Sequence, residues 1–202
     1  MLMFGGKDRE RLRGAAATPG MTVGTGPAGE GNAAPGAAGP HDVLVRALTG
    51  TDLTVDLMAR MWRRIAVTDP DDPWSRAVLA VMLSDDRGID AAAMFMAQPD
   101  LAADTLAAVL SGAAQPRYAC FEPAWTPDPA LRTMDGRLGF LPDSRGVWAL
   151  HLWDAWLMGD TDRMGLCRAA IDANGWDHPL IRLAAAYGGQ GLSPCGAPTR
   201  DA

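Results

Sequence analysis

GVWALHLWDAWLMGD spans residues 146–160. It holds Trp148, Trp153 and Trp156 and is apolar nearly all round. A surface helix keeps one polar side, so a helix without one belongs at the centre of a helical protein. Gly159-Asp160-Thr161 breaks the chain after it and offers a cap for the next helix. Two polar side chains interrupt the apolar surface, His151 and Asp154. Three residues apart, they share a face. One reading is a carboxylate-oriented histidine acting as base or ligand. The expected one is a core pair whose charges compensate, because a histidine and an acid without a nucleophile complete no reaction.

Outward from this helix, periodicity predicts more of the same. Toward the C-terminus, helices are expected over 162–173, closed by Asn174-Gly175, and over 179–187. Toward the N-terminus, VLVRAL (43–48) stops at Gly50, and Thr51 or Asp52 can cap a helix in which Leu53, Leu57, Met61 and Ile65 recur at four-residue steps. Arg60, Arg63 and Arg64 fall late in that helix, where cations suit its dipole. TDPDDP (68–73) ends it, and helices follow over 74–83, 89–97 and 100–111, with Asp85, Asp86 and Gly88 as a turn and Asp100 as a cap.

Residues 112–146 break the pattern, with prolines at 116, 123, 127, 129 and 142. RYACFE (117–122) alternates weakly like a strand, and Asp135-Gly136 is a hairpin dipeptide. The expectation is an all-α fold of about seven short helices as antiparallel helical hairpins, a bundle or a TPR-like array, with one long irregular insertion at 112–146. The likeness to TPR proteins covers architecture alone, since their Trp, Gly, Tyr and Pro spacing is missing.

Composition bounds the rest. Of residues 1–40, twenty-two are Gly, Ala or Pro. Such a leader buries too little apolar area to offset its ordering entropy and is expected to be disordered. The expected organisation is therefore a leader at 1–40, a helical domain at 41–188 and a flexible tail at 189–202. The chain's formal charge is −6; beyond residue 40 fourteen arginines face twenty-one acids, net −7. An acidic body repels phosphate backbones, so nucleic acid is not an expected partner. Lys7 is the only lysine. It lies in the leader, which removes Schiff-base and lysine-based P-loop chemistry from the helical domain. No run approaches a membrane span, and Met1–Phe4 do not read as a secretory signal. Three scattered cysteines, Cys120, Cys167 and Cys195, do not make a disulfide framework, so a cytoplasmic setting is expected.

Chemistry-bearing residues are sparse. The aspartates at 69, 71, 72, 85 and 86 lack the glycine and distal glutamate of a calcium loop, and no metal or cofactor is expected. The irregular segment gathers Arg117, Tyr118, Cys120, Glu122, Trp125, Arg132, Arg137 and Arg145, an arginine–aromatic mix that suits recognition. Long irregular connections usually bind something or are disordered. The expected binding residues are Arg117, Tyr118, Glu122, Trp125, Arg132 and Arg137; His151, Asp154 and Cys120 are the weaker catalytic candidates.

Leu48-Thr49-Gly50 before an amphipathic helix, and HPLIRLAAAYGG (178–189), resemble parts of the small helical subunits of membrane-bound, flavin-dependent sugar dehydrogenases. The middle of the chain departs from that pattern, and no activity or cofactor is carried over. The expected function is a non-catalytic helical protein-interaction or accessory subunit of a larger complex, with another protein subunit as its partner. Two alternatives stand beside it. One is an enzyme, or a small-molecule- or metal-binding protein, with a site between helices around His151 and Asp154. The other is a structural component of a phage-like or other assembly.

Overall fold

The computed structural model describes residues 52–122, 124–129, 131–192 and 194. The expected helix at 43–48, the leader and most of the tail lie outside them. Within them the fold is all-α: eight α-helices, one 3-10 turn and no strand.

Helix α1 (Val55–Val67) begins where Thr54 Oγ accepts the Leu57 N–H, so the cap is Thr54 and not Thr51 or Asp52. Its core stripe is Met58, Met61, Trp62 and Ile65, and the stacked rings of Trp62 and Phe95 bind it to α3. Helix α2 (Pro73–Met82) starts with Asp72 accepting the Ser75 N–H at 2.8 Å and a proline in its first turn. Helix α3 (Asp86–Ala97) starts three residues earlier than expected. Asp85 caps it through the N–H groups of Arg87 and Gly88. Gly88 is helical rather than part of a turn, and it is glycine because a Cβ there would lie 2.0 Å from the Met82 carbonyl oxygen. Helix α4 (Ala103–Leu110) begins later than expected; Asp100 does not cap it, and no side chain does.

The irregular insertion is shorter than expected. Leu131–Gly139 is helix α5, with Leu131, Met134 and Leu138 buried at helical spacing. Asp135-Gly136 therefore lies inside a helix, not at a hairpin turn. A helical stripe that reaches a core outweighs a two-residue turn preference. Between α4 and α5 the chain is irregular apart from a 3-10 turn, Ala119–Phe121, which stands where the weak strand pattern was read.

Helix α6 (Arg145–Leu157) is buried along nearly its whole length. Helix α7 (Thr161–Asn174) is capped by Asp160 and closed by Gly175 at φ 64°, and α8 (Pro179–Gly189) is capped by His178. Helix α6 touches α3, α5, α7 and α8, while α1 touches α2, α3 and α4. In a solenoid each unit meets only its sequence neighbours. Contacts between α3 and α6, and between α1 and α4, describe a bundle rather than a solenoid, with α3 joining α1, α2 and α4 to α6. Two glycines permit this closeness at one place: Gly88 against Met82 O, and Gly146, where a Cβ would lie 2.3 Å from Leu83 O.

Candidate functional site

The polar face of α6 opens onto a charged network rather than a pair. His151 Nδ1 lies 2.9 Å from Asp135 Oδ1, on α5. Asp135 is an ionised acceptor, so His151 carries the proton on that nitrogen. Arg163, on α7, lies 3.7 Å from Asp135 and hydrogen-bonds Asp154 Oδ2. The order is His151–Asp135–Arg163–Asp154, and it ties α5, α6 and α7 together. Asp154 is only 1% exposed, and its Oδ1 and the Arg163 Nε have no hydrogen-bond partner.

Burial pushes the Asp154 carboxyl up to about 6, against the pull of Arg163. At Asp135 burial also pushes upward, but the His151 hydrogen bond and Arg163 outweigh it and hold the carboxyl below its usual range. Burial works against the Arg163 cation, yet Asp154 and Asp135 raise it above its ordinary value. At neutral pH all three are therefore charged. Cys167 is buried nearby, its thiol pushed up to about 12 chiefly by desolvation. At such a value it is not a thiolate near neutrality.

The residues of the irregular segment take different places. Tyr118 is half-buried and its ring sits 4.9 Å from that of Trp153, about 200° round α6 from His151. Burial, then Asp90, raises its phenol. Cys120 is buried in the 3-10 turn. The ring contact thus places Tyr118 away from His151. Trp125 is half-buried and donates its indole N–H to the Ala97 carbonyl at 2.7 Å, which binds the segment to α3. Arg137, expected on a recognition surface, is 5% exposed; it donates to the Thr68 carbonyl at 2.6 Å and so clasps α5 to the end of α1. Arg117, Glu122 and Arg132 are exposed.

A second polar cluster surrounds His178. It is buried, accepts the Leu180 N–H through Nδ1, and lies 4.0 Å from Asp86, which also pairs with Arg145. Desolvation lowers His178, and it raises Asp90 beside it. Its geometry serves to cap α8 and join it to α3 and α6.

One surface the sequence did not single out is a groove of about 440 Å³, lined by Leu57, Arg60, Met61 and Arg64 of α1 and Trp74 of α2. Leu57 and Trp74 are half-buried, Arg60 and Arg64 exposed. The Arg64 guanidinium lies over the Trp74 ring, 5.7 Å from its centroid. By four-residue spacing Leu57 belongs with the core stripe. It lies about 100° from Met58 and 80° from Ile65 around the helix, enough to leave it at the edge of the core.

Among the described residues no group of three or more His, Cys, Asp or Glu is placed to hold a metal ion, and no helix is long and apolar enough to cross a membrane. Comparison with protein-family models, with curated proteins and with solved structures returned no match.

Proposed function

We propose that this chain is a non-catalytic helical subunit that works by docking onto another protein. The observation that carries this reading is the α1–α2 groove, where Leu57 and Trp74 leave apolar surface open between two exposed arginines. Tryptophan and arginine are the residue types that most often anchor interfaces. The acidic residues of the His151 network are engaged with one another's partners across three helices, which suits a scaffold. Arg117, Glu122 and Arg132 are exposed as well and can add contacts.

The second reading, a site between helices, draws on the unpartnered Asp154 Oδ1 and Arg163 Nε. Buried polar atoms left unpaired are costly, and they occur at binding sites. The two readings separate in one experiment. The full chain is isolated from its own cells under native conditions and weighed by native mass spectrometry. A stoichiometric complex with a second protein is expected. A chain that carries only a small molecule or metal ion supports the site reading and overturns the subunit reading.

A further inference from the structure

We infer that the α1–α2 groove receives an acidic, amphipathic helical segment of the partner protein. This deepens the subunit reading and rests on it.

The shape of the groove follows from helix geometry. Leu57 is three and four residues before Arg60 and Met61, and these are four and three before Arg64, so the groove runs along α1 for about 10 Å. An occupant must offer apolar groups to Leu57 and Trp74, over the buried Met61 at the floor. It must also offer anions to two guanidiniums spaced one turn apart. An amphipathic helix presents both at the same three- and four-residue spacing. Val67, one turn beyond Arg64, is 81% exposed and lies beside the arginine edge of the groove.

Charge narrows the occupant further. Beyond residue 40 the chain is net −7, yet residues 60–64 contain three arginines and no acid. No ion pair to Arg60 or Arg64 forms among the described residues. An acidic segment is thus attracted to these arginines while the net charge of the body repels it, which favours docking at this groove. Arg64 is already held on Trp74, so its planar fork loses little freedom when a carboxylate arrives. A nucleic-acid strand fits less well. Its affinity comes from many phosphate contacts, and this groove supplies two cations on an acidic body.

The test places a photoreactive diazirine side chain at position 67, and separately at position 57, of the full chain in its own cells, and sequences the cross-linked peptide. The expected product is a peptide of another protein with net negative charge and apolar residues at helical spacing. Its yield should fall about tenfold or more in the Arg60→Glu/Arg64→Glu variant, with an unchanged melting temperature. Cross-links into residues 41–50 of the same chain, into a second copy, into nucleic acid or into a basic peptide overturn the inference. If a partner still co-purifies but neither position reaches it, the groove assignment falls and the subunit reading stands. If no partner is bound at all, both fall.

Discussion

Arginine does opposite work in two regions of this molecule. Arg163, between α6 and α7, is largely buried and pairs with a carboxylate that is itself 1% exposed. Arg60 and Arg64, on the outer side of α1, are exposed beside apolar surface and meet no acid among the described residues. The first arrangement holds helices together, and removing one partner strands a charge. The second adds little to stability and leaves charge and apolar area for something else to cover. Similar side chains thus hold helices together in one place and line the proposed docking face in the other. What separates them is whether a carboxylate shares their burial.

The sharpest way to break this contrast is to strip the buried region. Arg163→Met leaves Asp154 buried without its cation and is expected to cost about 3–5 kcal/mol in urea unfolding; adding Asp154→Leu should restore most of that. If the double variant is no better than the single, the pair is not the source of the loss. Next come the two close approaches that set α6 and α3 against the end of α2. Gly88→Ala and Gly146→Ala force a Cβ to within 2.0 and 2.3 Å of a backbone oxygen, and each should lower stability by about 1–3 kcal/mol. Thermal melts of both variants matching the parent would contradict the packing described.

A pH series sharpens the buried side. Asp154 titrates near 6 when folded, above the ordinary carboxylate value of about 4, so the folded chain holds that proton more tightly. Stability relative to Asp154→Asn should therefore rise as pH falls from about 6 toward 4. Asp135 acts the other way: its carboxyl is held low, so its contribution is present above the ordinary value and is lost as pH falls through its folded value. Parallel urea midpoints for parent and Asp154→Asn across that window would refute the assignment. The smallest effect belongs to the exposed side. Arg60→Glu/Arg64→Glu should change stability by less than about 0.5 kcal/mol.

Much of this was legible in the sequence, and for local reasons. The all-round apolar surface of residues 146–160 marked α6 as central, and Gly175 and Pro179 marked the end of α7 and the start of α8 where they occur. Local signals misled where packing overrode them. Asp135-Gly136 favours a turn, but Leu131, Met134 and Leu138 place it in a helix. The face shared by His151 and Asp154 was also visible, because it depends on helical spacing alone. Their partners were not, because Asp135 and Arg163 arrive from two other helices. The groove escaped notice for the same reason: Leu57 fits a core stripe, and only the position of Trp74 on the next helix shows that part of it stays open.

On the proposed reading, the exposed Arg60 and Arg64 recruit a partner while the buried Arg163 holds the fold. Affinity of the native complex, measured for the parent chain and for Arg60→Glu/Arg64→Glu at matched melting temperature, tests it most directly. At least about a tenfold loss of affinity is expected in the charge-reversed chain, diminishing as salt weakens the parent complex. Equal affinity for both chains at low salt would contradict it.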